Sequence, residues 1–382
     1  MSLFLLAFLI LYGGMHLYFF LKVKAAFSFG AFSGSFLAIF LLAMVFTPIL
    51  VRVLERVGVE TSARILAYAG YSWMGFLFLY FCASLITDIY HGVFHCARFL
   101  SERDFTPFFL SKRVALALPF VFGTAATLYG YFEAMDIKSE RLVIVTSKIP
   151  ESAGRLTIVQ ISDMHLGLIV RKERLSKIID KVKAASPDIL VSTGDLLDGE
   201  INGMPGMAEL LNDIKPRYGK YAVTGNHEVY AGFSNSLSFT GKAGFKVLRG
   251  QNVVAGGLLN IAGVDDPLVS RISHETPVSE KTLLKELPHE KFTLFLKHRP
   301  VIEQESLGLF DLQLSGHVHK GQIFPFNLLT YLFYPVRTGY SLLPLNSALY
   351  VNRGTGVWGP PIRFLAHPEI TVIELRHSKS EK

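Results

Sequence analysis

Apolar positions along this chain follow two different patterns. Up to residue 134 they run together: Met1 to Leu21, Ala25 to Val51, Ile65 to Thr87 and Val114 to Phe132 are uncharged stretches. Each is long enough, at about 20 residues per crossing, to span a bilayer as a helix. Gly30, Gly34 and Pro48 lie inside the second stretch, and its reading stays open between a straight span and a kinked or re-entrant segment. The first stretch has no basic n-region and no small-residue cleavage site, so it reads as a retained span. Beyond residue 134 the apolar runs are short and of strand type: Leu156 to Ile161, Ile189 to Ser192, Tyr221 to Val223, Phe292 to Leu296 and Leu312 to Leu314. Arg141 to Thr146 reads as a further short strand, Ile149 to Gly154 as a turn, and Asn252 to Val264 and Ala348 to Asn352 as β-rich. Arg171 to Ala184 has helical periodicity with lysines on its outer face, and Ser279 to Leu287 reads as a second surface helix.

This pattern predicts a four-helix transmembrane region over 1–134, a linker and first strand over 135–154, and an α/β domain over 155–382. Alternating strands and helices fit two sheets packed as a sandwich and flanked by helices, and the soluble part is large enough to bury its own core.

Charge changes the picture little. The first 134 residues carry nine Lys or Arg and six Asp or Glu; the other 29 and 25 of the 38 and 31 lie beyond. Neither part has the dense basic cluster that nucleic-acid binding requires, so no nucleic acid is expected as a partner. Basic residues flanking the spans divide five (Arg52, Arg56, Arg64, Lys138, Arg141) against six (Lys22, Lys24, Arg98, Arg103, Lys112, Arg113), so the count assigns no side of the membrane. The two cysteines, Cys82 and Cys96, both precede the α/β domain, which leaves no thiolate there to bind a metal. His91 and His95 share a helix face near Cys96 but have no carboxylate-rich company, and they read as interfacial helix residues.

Each strand-type run ends on polar groups. In order these are Asp163-Met164-His165, Gly194-Asp195-Leu196-Leu197-Asp198, Gly225-Asn226-His227-Glu228, His298, and Gly316-His317-Val318-His319. Imidazole, carboxylate and amide donors suit Mn, Fe and Zn, and α/β folds collect ligands at the C-terminal ends of strands. Two divalent cations a few ångströms apart hold a phosphate between them and activate water. The set therefore points to hydrolysis of phosphate esters.

In wording and order these motifs resemble the calcineurin-like metallophosphoesterase superfamily, and within it the bacterial membrane-associated branch of the YkuE and YaeI type. The resemblance covers roughly Arg155 to Leu375, including Tyr350 to Gly356 and Pro361 to Arg363. It implies a four-layer αββα sandwich behind an N-terminal α-helical transmembrane bundle. It further implies that Asp163, His165 and His319 hold one metal, that Asn226, His298 and His317 hold the other, and that Asp195 bridges them. His227 would be the general acid and Asp198 its orienting partner. Where the family often reads Gly-His-Thr-His-Gly-Gly-Gln, Val318 and Lys320 depart from it. Lys320 is read either as an ammonium aimed at phosphate or as a solvated lysine.

The run from Ile323 to Pro335 is aromatic and aliphatic immediately after two ligands, which makes it either core or a lip that meets acyl chains. Related membrane-associated branches include enzymes acting on UDP-2,3-diacylglucosamine. The expected protein is thus a multi-pass enzyme of a bacterial inner membrane, with the bilayer and a lipid-linked phosphodiester or pyrophosphate as partners. Two rivals are a membrane sensor with phosphoesterase output and a non-catalytic phosphate-binding module. A sensor needs ionisable residues inside its spans, where only His16 and Asp88 qualify. A dead module should lack ligands, and none is missing.

Overall fold

The computed structural model describes residues 3–101, 103–199, 205–274, 276–336 and 338–378. Met1, which heads the first apolar stretch, and the last four residues of the expected 155–382 domain lie outside them. The chain divides into two compact units, Met1–Phe132 with Gly359–Phe364, and Glu133–Trp358 with Leu365–Lys382.

The first unit is helical: α1 (Leu3–Phe27), α2 (Ala31–Arg56), α3 (Glu60–Ser101) and α4 (Lys112–Met135), the last running on into the second unit. Among the described residues these four are long and apolar enough to cross a membrane. Helix α2 continues unbroken through Pro48, so the re-entrant reading of that stretch falls away. The 42 residues of α3 extend about 63 Å at 1.5 Å per residue, twice a hydrocarbon core of about 30 Å. The apolar stretch Ile65 to Thr87 therefore continues as a polar extension carrying Asp88, His91 and His95. Tyr12, Phe19, Leu41, Leu77, Tyr80 and Leu116 form the inner cluster. Gly70 lets α3 approach α2 so closely that a Cβ there would lie 2.0 Å from Thr47 Cγ2. Many other apolar side chains of α1 to α4 face outward, as helices surrounded by lipid require.

Polar groups in the helices find partners nearby. His16 accepts from Trp73 Nε1 at 3.0 Å, and its Nδ1 lies 2.8 Å from the Tyr12 carbonyl. Asp88 accepts from Lys22 and Tyr18. His91 Nε2 accepts from the Leu110 amide at 3.2 Å, and His95 lies against Phe109 with ring centroids 4.5 Å apart. These are structural histidines, in keeping with the interfacial reading.

The second unit holds β1 (Lys138–Thr146), β2 (Arg155–Ile161), α5 (Lys172–Ala184), β3 (Ile189–Ser192), α6 (Met207–Asn212), β4 (Lys220–Ala222), α7 (His227–Tyr230), α8 (Phe233–Lys242) and β5 (Lys246–Val247). It continues with β6 (Gln251–Ala255), β7 (Leu259–Gly263), α9 (Pro267–Ser273), α10 (Glu280–Lys285), β8 (Phe292–Leu296), β9 (Leu312–Ser315), α11 (Asn327–Phe333), β10 (Gly339–Leu342), β11 (Ala348–Val351) and β12 (Glu369–His377). One sheet runs β1-β12-β2-β3-β4-β5 and the other β10-β11-β9-β8-β7-β6. Strands β2 to β5 are mutually parallel, as are β7, β8, β9 and β11, so the strands that precede the motifs all deliver their C-terminal ends to one edge of their sheet.

Alternation along each strand builds the layers. Ile158, Ile189, Val191, Leu294, Leu296, Leu312 and Ile373 fill the space between the sheets. On the outer face of the first sheet, Val159, Ile161 and Leu190 meet the apolar stripe Leu175, Ile178, Ile179 and Val182 of α5. On the outer face of the second, Phe295 meets Leu283 and Leu284 of α10. The result is helix, sheet, sheet, helix. Strand β12 completes the first sheet, antiparallel to β2 and parallel to β1, and the short apolar runs ahead of the motifs gave no sign of it.

A buried ion network ties β12 to the loop after β11. Glu369, with its side chain 1% exposed, accepts from Arg353 and from Tyr350 Oη at 3.1 Å, while Arg353 also reaches Glu140 of β1. Removing one partner of a buried pair strands the other charge and costs about 3–5 kcal/mol. Because Arg353 keeps Glu140, Glu369→Ala should fall at the lower end, about 3 kcal/mol. Denaturant unfolding of the detergent-solubilised chain measures this; a loss under 1 kcal/mol would show that the network contributes little.

Candidate metal centre

The five motif loops meet at the strand ends. Asp163, His165, Asp195, His317 and His319, five of the seven sequence-predicted ligands, have left-handed backbone with φ between 49° and 72°. Non-glycine residues persist there only when their surroundings impose it, at about 1–3 kcal/mol each. Here the loops are laced by main-chain bonds: Asp163 N to Gly194 O and His165 N to Asp195 O, each 3.0 Å, and Gly316 N to His298 O at 2.9 Å. Gly225 and Gly316 leave room for close approach, since a Cβ would lie 2.1 Å from Asp195 Oδ1 in one case and 1.9 Å from Ser162 Oγ in the other.

All nine sequence-predicted site residues come together. His319 Nε2 lies 3.3 Å from Asp163 Oδ1 and 3.0 Å from His165 Nε2. Asp195 Oδ2 lies 4.0 Å from His165 Nε2 and 3.2 Å from His298 Nε2, which places this carboxylate between the two groups. His298 Nε2 is also 3.3 Å from Asn226 Oδ1 and 3.1 Å from His317 Nδ1. His227 Nδ1 is 2.9 Å from Asp198 Oδ1, and its ring stands edge-on to His165. Asp163-His165-His319 and Asp195-His298-His317 each form a buried or nearly buried triple able to hold a cation. His165-Asp195-His227 forms a third, so distance alone leaves His227 within ligand reach.

The donor set fits cations. His298 Nδ1 donates to the Thr193 carbonyl at 2.8 Å, which in the neutral ring turns the Nε2 lone pair toward three other acceptor atoms. A proton or a metal ion among them would satisfy these atoms. Burial disfavours a charged His298, but Asp195 outweighs burial and pushes its pKa up to about 10. Burial, then the neighbouring His298, push His317 down to about 3. Burial also opposes charge on Asp163 and Asp195, yet His319 and His298 respectively hold both carboxyls below the ordinary carboxylate range. For His227, burial acts downward and is overcome by Asp195 and then Asp198, so its pKa rises. Metal ions bound here would displace protons from such a set.

Residues 156–321 match the calcineurin-like phosphoesterase family. A metallophosphoesterase of Aquifex aeolicus is 37% identical over 250 residues, 65% of this chain and 95% of that one. The metallophosphoesterase YkuE of Bacillus subtilis is 31% identical over 292 residues, 72% of this chain and 98% of that one. The chain belongs to the calcineurin-like phosphoesterase family. A "transmembrane protein with metallophosphoesterase domain" of Danio rerio is 29% identical over 344 residues, 84% of this chain and 76% of that one. This metallophosphoesterase is thus a metal-dependent enzyme with membrane-linked relatives.

Sequence reasoning missed the residues that brace the ligands. Glu228, wholly buried, accepts from the amides of Gly225 at 2.7 Å, Asp195 at 3.0 Å and Leu196 at 2.7 Å. Thr355 Oγ1 donates to the Glu369 carbonyl at 2.7 Å, and its amide holds the Ser162 carbonyl at 2.7 Å. The signal for Glu228 was its place directly after Gly225-Asn226-His227, where a helix begins. Lys320 stands half-exposed with φ 52°. The core reading fails for Asn327–Phe333, because α11 buries none of its residues. Ile323 is buried, and Asn327–Phe333 is an exposed apolar segment.

Glu228→Ala would leave four buried amides, those of Gly225, Asp195, Leu196 and Leu197, without their acceptor. At about 1–3 kcal/mol for such a loss, the unfolding midpoint should fall clearly and bound metal should drop with it. Thermal melts together with elemental analysis test this; unchanged metal content in a folded variant would show that Glu228 does not set ligand geometry.

Proposed function

We propose that the chain is a membrane-anchored phosphoesterase that hydrolyses a phosphodiester or pyrophosphate bond in a lipid-linked substrate, of which UDP-2,3-diacylglucosamine is an example. Asp163, His165 and His319 would hold one divalent ion, Asn226, His298 and His317 another, with Asp195 shared; Mn, Fe and Zn suit these donors. When bound, such ions supply charge to the phosphoryl oxygens and acidify water. The chain's own acid is His227. With Nδ1 beside Asp198 Oδ1, the proton it gives the departing oxygen is on Nε2.

The observation that carries the lipid reading is the exposed lip beside the centre. Helix α11 begins eight residues after His319, and Leu332 and Phe333 are 75% and 77% exposed. Beside its end lies an apolar cleft of about 320 Å³ lined by Ile302, Leu307, Phe333, Tyr334, Leu343 and Leu349. Tyr334, which lines the cleft, stands edge-on to His317 with ring centroids 5.5 Å apart. A water-facing loop gains nothing from this exposure, whereas a lip that takes acyl chains does. Four membrane-length helices in the same chain, and relatives named as transmembrane proteins, support multi-pass anchoring, for which a bacterial inner membrane is the placement we propose.

Two experiments test the reading. Polar substitution of Phe326, Leu329 and Phe333 should raise KM for an acylated substrate and leave a small chromogenic diester nearly unaffected; equal losses on both would remove the lip from the substrate path. His227→Gln should keep its metals and hydrolyse a nitrophenyl ester with a modest loss. An ester with a poor alkoxide leaving group should lose about 10²–10⁴, the range for a missing general acid, with a pyrophosphate between the two. Equal losses, or a drop in bound metal, would make His227 a ligand instead.

A further inference from the structure

Opposite the His317 end of the centre, two aromatic rings stand against His227 that neither the metals nor the core require. Trp358 lies 5.8 Å from the His227 ring at 79°, and Tyr230 5.3 Å from it at 82°. Both are open to solvent, Trp358 at 47% and Tyr230 at 64% exposure. The backbone of Trp358 is nonetheless fixed. Its amide donates to Gln322 Oε1 at 2.9 Å and its carbonyl accepts from Gln322 Nε2 at 2.7 Å. Just before it, Val357 is buried, and the amides of Thr355 and Gly356 hold the carbonyls of Ser162 and Asp163 at 2.7 and 3.0 Å. Gln322 is itself buried in a strained backbone conformation, φ 57° and ψ −46°, three residues after His319.

We propose that Trp358, clamped by Gln322 and aided by Tyr230, is a stacking platform for an aromatic ring carried by the leaving group. The placement rests on the reading of His227 as the acid: the group attached to the oxygen that His227 protonates must lie next to these rings. Both stand nearly perpendicular to the imidazole. A half-exposed aromatic with only two side-chain torsions, on a backbone already held, binds a flat ring at small entropic cost. Nucleobases and simple aryl groups share this chemistry. The centre then has an aromatic end at His227 and an aliphatic end at His317, and it selects substrates built the same way.

The test uses intrinsic fluorescence, because Trp358 is one of only two tryptophans, the other being Trp73. The full-length, detergent-solubilised protein is titrated with uridine 5′-monophosphate, adenosine 5′-monophosphate, phenyl phosphate and inorganic phosphate. Ring-bearing phosphates should quench the emission saturably and inorganic phosphate should not; Trp358→Phe should abolish the quenching. By calorimetry, Trp358→Ala should weaken ring-bearing ligands roughly 5- to 150-fold, the range for loss of one stacked base, and leave inorganic phosphate unchanged. Trp358→Phe should recover most of that affinity, and Tyr230→Ala should lose part of it. Tighter nucleotides identify a nucleobase as the ring, and tighter phenyl phosphate a simple aryl group. Quenching that survives Trp358→Phe, or nucleotide affinity unchanged in Trp358→Ala, overturns the platform. So does a Trp358→Ala variant impaired only in binding to liposomes. His227→Gln separates the two readings, since its effect is read from leaving-group dependence and should leave the quenching intact.

Discussion

A buried carboxylate that touches no predicted ligand side chain sets the geometry of the centre. Glu228 takes amides from two strand-end loops, Gly225 on one and Asp195 and Leu196 on the other. In doing so it fixes how far apart the loops bearing Asn226 and Asp195 stand. The cost of holding it there is electrostatic: burial, then Asp195 nearby, raise its pKa. Glu228, Asp195 and Asp163 are all buried in one small region, and their mutual repulsion is offset by the backbone amides they accept and by positive charge. The imidazoles supply some of it as protons and the ions would supply more. Fold and metal binding are therefore coupled through the same carboxylates.

That coupling explains the backbone of the site. Five left-handed residues in three loops would be hard to maintain if each relied on its own turn. They are held because the loops bond to one another, with the His227 amide on Asp195 Oδ1 at 2.8 Å and the His317 amide on Asp163 at 3.0 Å. Asp195 and Asp163 thus each serve as acceptor for a neighbouring loop and as a candidate ligand.

The division between what sequence showed and what it did not follows from this. The nine site residues were legible because metal chemistry restricts ligand types and parallel strands restrict where ligands stand. Leu156 to Ile161 and Phe292 to Leu296 were legible because both faces of those strands are buried, giving unbroken apolar runs. Glu228, Thr355 and Gln322 were not, because an acceptor or clamp is defined by what comes near it across the fold, and a Glu, Thr or Gln in isolation has no such pattern. Strand β12 escaped for a related reason. Its place between β1 and β2 is a long-range pairing, and its nearest apolar company in sequence is the loop around Trp358.

The same loops that hold the ligands also define the two ends of the centre. Gln322 follows His319 and clamps Trp358; immediately after it the chain turns into the lip that carries α11 and Tyr334. A single connection out of the last metal motif therefore sets both the ring-faced end at His227 and the apolar end at His317. Its near part is buried and strained, its far part exposed and short of neighbours. Rigid placement near the reacting phosphate with adaptable apolar surface beyond it is what a site needs when the bond to be cut is small and constant and the attached chains vary. Exposed apolar area costs about 25 cal/mol per Å² in water. Contact with an acyl chain, as proposed for the substrate, would remove that cost from the exposed face of α11.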